Sequence, residues 1–129
     1  MILAIDYGSK RIGLALADEA SAIPLPFKEL QNKGINSVLQ DLEEIVKEER
    51  INIIVIGLPI SSGGKISQKT QETQKFIDLL TRKMAIPVIP VDERFTSRLS
   101  DTMALGTKGS RDIGAAMILL EDFLQRRKL

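Results

Sequence analysis

A chain of 129 residues, 43% hydrophobic and 27% charged, has the make-up of one soluble globular domain, 1–129, long enough to bury a substantial core. Its 18 Lys and Arg against 17 Asp and Glu leave a net charge of +1, so any basic surface has to be local. Cys and His are both absent, which excludes disulfides, thiolate zinc sites, cysteine nucleophiles and the commonest general base. Chemistry has to run on carboxylates, lysines, hydroxyls or bound metal. No apolar run approaches membrane-spanning length and Asp6 interrupts the N-terminal apolar stretch, so no membrane partner is expected and the expected location is cytoplasmic.

Ile2 to Ile5 is a short apolar run of the kind a fully buried strand needs, and it ends on Asp6 followed by the turn residues Tyr7 and Gly8. Ile12 to Ala17 reads as a second strand, so the pair is a hairpin whose turn carries Gly8, Lys10 and Arg11 beside the acid. Ala22 to Leu30 is extended, and Pro24 and Pro26, which cannot donate to a ladder, put it at a sheet edge. After the loop Asn32–Asn36, Ser37 and Gln40 have capping-box spacing at the start of a helix to about Arg50, with Val38, Leu39, Leu42, Ile45 and Val46 as its apolar stripe. Its other face, Asp41, Glu43, Glu44, Glu48 and Glu49, is a solvated acidic surface pointing away from any nucleic acid.

Ile51 to Gly57 is a β-branched run without alternation, as a central strand covered on both faces requires. The glycine- and serine-rich stretch Ile60 to Ser67 reads as a loop beyond a strand end, where α/β folds place their sites. A helix from Gln68 to Met84 follows, with Thr73, Phe76, Ile77, Leu80 and Met84 on its core face. Ile86 to Val91 is the fifth strand and ends on Asp92, Glu93 and Arg94. Thr96 or Ser97 can cap a short helix to about Leu105, and Gly106 to Arg111 is a basic loop. Asp112 opens the last helix, whose buried stripe is Ile113, Ala116, Met117, Leu120, Phe123 and Leu124.

This order, three antiparallel strands and then parallel strands fed by right-handed helical crossovers, gives a five-stranded mixed α/β sheet with helices on both faces. If the first strand is central, with the fourth next to it and the fifth beyond, Asp6 and Glu93 lie at one sheet end, about 10 Å apart along the backbone. Carboxylates pointing into that gap could hold a pair of divalent ions about 3.5–4 Å apart, with Asp112 as third ligand and Asp92 in reserve. Each acid also has an ordinary structural role open to it: Asp6 as a turn former, Asp112 as a partner of the helix dipole, Asp92 and Glu93 as partners of Arg94. Around them Lys10, Arg11, Lys65, Lys69, Arg94, Arg98, Lys108 and Arg111 form a positive rim suited to a phosphate backbone.

Asp6-Tyr-Gly-Ser-Lys-Arg-Ile-Gly-Leu-Ala15, Gly57-Leu-Pro59, Asp92-Glu-Arg-Phe-Thr-Ser97 and Lys108-Gly-Ser-Arg-Asp112 followed by Ala115-Ala-Met-Ile-Leu-Leu120 resemble, in order and over nearly the whole chain, the YqgF/RuvX family. The resemblance implies a ribonuclease H-like fold related to the RuvC resolvases, and a nuclease that matures the precursor of small-subunit ribosomal RNA. It also implies that Asp6, Glu93 and Asp112 match the acidic catalytic set, served by Mg2+ or Mn2+. Ser61-Ser-Gly-Gly64 and the short segment before Asp112 depart from the family pattern. With His and Cys missing, activation of a water falls to divalent ions on those acids, while Lys10, Arg11 and Arg94, with Lys108 and Arg111, hold the substrate.

The expected partners are nucleic acid, precursor rRNA first and branched DNA second, and ribosomal precursor particles, with the chain a monomer or homodimer. A junction-resolving endonuclease would use the same acids. An actin-like nucleotide-binding domain shares the Asp-x-Gly-Ser turn but needs two lobes, and a non-catalytic RNA-binding module would keep the fold alone.

Overall fold

A computed structural model describes residues 1–59, 67–92 and 111–127. The short helix expected after Thr96, and most of the two loops expected at 60–67 and 106–111, lie outside them. In chain order the elements are β1 (Ile2–Asp6), β2 (Arg11–Ala17), β3 (Leu25–Gln31), α1 (Ile35–Glu48), β4 (Ile53–Leu58), α2 (Gln68–Lys83), β5 (Val88–Asp92) and α3 (Arg111–Arg127).

The five strands form one sheet in the order β3-β2-β1-β4-β5. β1 is antiparallel to β2 and parallel to β4, β2 is antiparallel to β3, and β5 continues parallel to β4. The central place of β1 and the edge place of the proline-bearing β3 are those the sequence implied.

Side-chain alternation explains why β1 and β4 look continuously apolar. Leu3, Ile5, Ile54 and Ile56 face one layer, built from Val38, Leu39, Leu42 and Ile45 of α1 and Phe76, Ile77 and Leu80 of α2. Ile2, Ala4 and Val55 face the other, with Ala116, Leu120, Phe123 and Leu124 of α3. Both faces are therefore dry, and a strand with two dry faces cannot alternate with polar residues.

The layers differ in the size of the sheet residues. On β2, Ile12, Leu14 and Leu16 belong to the α1/α2 side, whereas Gly13, Ala15 and Ala17 occupy the α3 side. Together with Ala4 they leave room for α3 to approach the sheet closely. The buried face of α3 is broader than its expected stripe: Ile118 and Leu119 are buried too, while Ile113 and Met117 are half-buried.

Helix α1 begins two residues before the expected capping box. Gly34, with φ of 126°, is its N-cap and provides no side-chain bond. Gly can adopt that backbone turn where Ser cannot do so without strain, so the chain turns into the helix there and Ser37 falls inside its first turn. Helix α2 is capped conventionally: the Ser67 hydroxyl accepts from the Thr70 amide at 3.1 Å.

Candidate active site

Asp6 closes β1, half-buried, and strand alternation puts it on the face of Ile2 and Ala4, which α3 covers. Its register partner is Gly13 of β2, and the partner of Gly13 on β3 is Glu29. Asp6, Gly13 and Glu29 thus form a row across three strands on one face, with the outer two about 10 Å apart.

The first turn of α3 lies over the middle of that row. A Cβ on Gly13 would overlap the carbonyl of Asp112 and come within 2.6 Å of the Ile113 amide nitrogen. Only a residue without a side chain permits this approach, and the approach sets Asp112 directly above the register partner of Asp6. Two of the three acids expected to form the site are therefore neighbours in space although 106 positions apart in sequence (112 − 6).

Arg11, the first residue of β2, sits between the acids. Its Nε lies 3.4 Å from Oδ2 of Asp112 and 3.9 Å from Oε1 of Glu29, and its side chain is 61% exposed. Pairs this open to water add little to stability. What the guanidinium does is neutralise part of a crowded acidic surface, and it stays accessible to a phosphate.

The turn that carries Lys10 is pinned from a distance. Asn32 donates from Nδ2 to the Gly8 carbonyl at 2.8 Å, its backbone amide donates to the Lys10 carbonyl at 2.9 Å, and its Oδ1 accepts from the Gly34 amide at 3.1 Å. On the opposite face Tyr7 stacks on Phe76 of α2, with centroids 4.2 Å apart and planes 12° from parallel. The residues that follow Asp6 are thus held from two places, Asn32 just beyond β3 and Phe76 on α2.

Lys10 and Arg111 are exposed, Lys10 in the pinned turn and Arg111 beside Asp112. Lys69 lies exposed in the first turn of α2. Asp92 ends β5 at the same sheet end as Asp6, two strands away and in register with Leu58. Glu93, Arg94 and Lys108, like Lys65 and Arg98, lie outside the described residues. Among the described residues no group of three or more His, Cys, Asp or Glu is assembled as a metal cluster.

Sequence reasoning missed three residues of this site. Glu29 is recognisable only through the β2–β3 register, Gly13 only through the approach of α3, and Asn32 looks like any loop residue until its partners are known.

The sheet order, the helices on both faces and Asp6 at the end of the central strand are those of a ribonuclease H-like fold. The fold matches RuvC of T. thermophilus, solved in complex with a Holliday junction substrate, with a TM-score of 0.69 over 98% of this chain and 95% of that one at 12% identity. It also matches the fowlpox virus resolvase, solved with Holliday junction DNA, with a TM-score of 0.57 at 12% identity over 98% of this chain and 97% of that one. The RuvX family model, described as Holliday junction resolvase, matches residues 1–126, and the chain belongs to this family. Among its relatives, a protein of Maridesulfovibrio salexigens is 33% identical over 97% of this chain and 98% of its own length. One of Rickettsia typhi is 34% identical over 98% of this chain and 86% of its own length. Both bear names that propose a pre-16S rRNA nuclease.

Proposed function

We propose that this member of the RuvX family is a single-domain, metal-dependent endonuclease that hydrolyses phosphodiester bonds, its substrate being the precursor of small-subunit ribosomal RNA. The observation that carries the reading is the stacking of Asp112 over Gly13, the register partner of Asp6, which gathers two carboxylates beside a basic turn. Relatives similar over nearly their whole length support the choice of substrate through the activity their names propose.

The donors present are carboxylate oxygens, the hard ligands that suit Mg2+ or Mn2+ and that bind such ions partly through substrate phosphates. Asp6 and Asp112 would hold the metal, and Glu93 is the third ligand we assign from the family motif. Held by these residues, a divalent ion would supply activation of a water and stabilisation of the leaving oxygen. The chain's own residues do the rest. Lys10 and Arg11, on a turn fixed by Asn32, orient the phosphate backbone, with Arg94, Lys108 and Arg111 extending the grip. Arg11 can exchange Asp112 for a phosphate because its side chain is exposed.

Branched DNA is the second reading, favoured by the family's description as Holliday junction resolvase. The deciding experiment is cleavage of a single-stranded RNA, a precursor rRNA end and a four-way DNA junction by wild type and Glu93→Gln, with Mg2+, Mn2+, Ca2+ or EDTA. Cleavage of the rRNA end with Mg2+ or Mn2+, binding without turnover in Ca2+, and loss of activity in Glu93→Gln are expected. Metal-independent cleavage or a fully active Glu93→Gln variant would sink the metal reading. Preference for the junction would move the substrate to branched DNA and predict a homodimer in place of a monomer working on ribosomal precursor particles.

A further inference from the structure

We infer that Gly13 is a positioning residue of the catalytic centre: by having no side chain, it sets how far the first turn of α3 advances over the sheet and so fixes the height of the Asp112 carboxylate above Asp6. This rests on the proposed reading of Asp6 and Asp112 as metal ligands.

Gly8 also lies against main chain, the Arg11 carbonyl, but that contact stays within the turn between β1 and β2, whereas at Gly13 the close approach is made by a separate element, α3. A Cβ at Gly114, inside α3 itself, would meet nothing within 4 Å, so that glycine imposes no close approach. A Cβ at Gly13 would run into the main chain of Asp112 and Ile113, which cannot rotate away as a side-chain tip can. Gly13 is buried in β2 and paired on both sides, to Asp6 and to Glu29, so the strand cannot retreat without breaking two ladders. The strain is therefore expected to fall on the first turn of α3, the element that meets the added Cβ. The rest of the helix is anchored by Ala116, Leu120, Phe123 and Leu124 in the core, which confines the shift to the end that carries Asp112.

Displacing a ligand by a fraction of its own bond length is enough to weaken a metal site, and changes in the shell behind the ligands typically lower affinity or activity about 10–100-fold. Gly13→Ala is therefore expected to lower kcat about tenfold or more while KM for the nucleic acid stays within about twofold. It is also expected to raise the Mn2+ concentration at half-saturation, read from the electron paramagnetic resonance of free Mn2+, toward that of Asp112→Asn. A longer acid should compensate: Asp112→Glu extends the carboxylate by about 1.5 Å. In the wild-type background Asp112→Glu overshoots and weakens Mn2+ binding, whereas in the Gly13→Ala background it restores part of what was lost. Gly114→Ala should bind Mn2+ as wild type does.

Such reciprocal rescue is something a purely structural glycine would not produce. Wild-type Mn2+ binding and kcat in Gly13→Ala would overturn the inference, as would the absence of rescue by Asp112→Glu. A Gly13→Ala chain that does not fold would also count against it, because the displacement is argued to be local. Asp112→Glu alone then remains informative, and wild-type Mn2+ binding by that variant would overturn a fixed height for Asp112. If instead Asp112→Asn binds Mn2+ like wild type, it is the assignment of Asp112 as a ligand that fails, and the two failures are distinguishable.

Discussion

Asn32 reaches across 24 positions of chain to donate a hydrogen bond to the carbonyl of Gly8, while its own amide holds the carbonyl of Lys10. One side chain at the end of β3 thus closes the turn between β1 and β2 on the side where the site lies. Asn32→Ala removes two side-chain bonds, each with a net value of about 1 kcal/mol. The expected outcome is a melting temperature lower by several degrees, at about 4 °C per kcal/mol for a domain of this length, measured by calorimetry. Binding of nucleic acid should weaken as well, since the turn presents Lys10 and Arg11.

The Tyr7–Phe76 stack offers a graded test of how the strand end after Asp6 is supported. Phe76 is fully buried, so Phe76→Ala is expected to lower unfolding free energy by about 3–5 kcal/mol. Phe76→Leu keeps most of the volume and loses the ring contact, which is worth about 0.5–1.5 kcal/mol beyond burial. Denaturant melts of the two variants should separate accordingly. Equal losses would mean that the ring contact contributes nothing specific.

Arg11 is expected to matter to binding and not to folding. Its ion pairs with Asp112 and Glu29 are exposed to water, so Arg11→Ala should leave the melting temperature nearly unchanged. Nucleic acid affinity should fall, and the slope of log affinity against log salt should shrink by about one. Titrations at several salt concentrations give both quantities. An unaltered slope would confine Arg11 to the acids of its own chain.

Asp6→Asn separates chemistry from architecture. The substitution is nearly isosteric, and it removes one charge from a surface that also holds Asp112, with which it would repel in the absence of metal. Cleavage should be abolished while stability stays within about 0.5 kcal/mol of wild type or rises slightly. A variant that melts far below wild type would make Asp6 a structural turn residue.

Much of the architecture was legible in the sequence because burial on two faces and burial on one leave different patterns. The unbroken runs of β1 and β4 announced strands in the middle of a sheet, Pro24 and Pro26 announced an edge, and the stripe from Thr73 to Met84 described the buried face of α2. Where a local signal competed with a backbone requirement, the backbone won: the capping box at Ser37 yielded to the left-handed turn at Gly34.

The candidate site was legible only in part. Asp6 stood out because a carboxylate at the end of an apolar strand is expensive to bury without a partner. Asp112 stood out less, since an acid in the first turn of a helix is common for reasons of the dipole alone.

The sequence by itself thus determined the number and order of the elements described, their buried faces and the kinds of donor from which a site can be made, because local periodicity and residue chemistry are properties of the chain. Tertiary structure alone decided that Glu29 shares a row with Asp6, that Arg11 lies between two acids, and that Gly13 admits the main chain of Asp112. Those relations depend on strand register and on the distance between a helix and a sheet. Both are set by packing among residues far apart in the chain, and so neither leaves a mark in any short stretch of it.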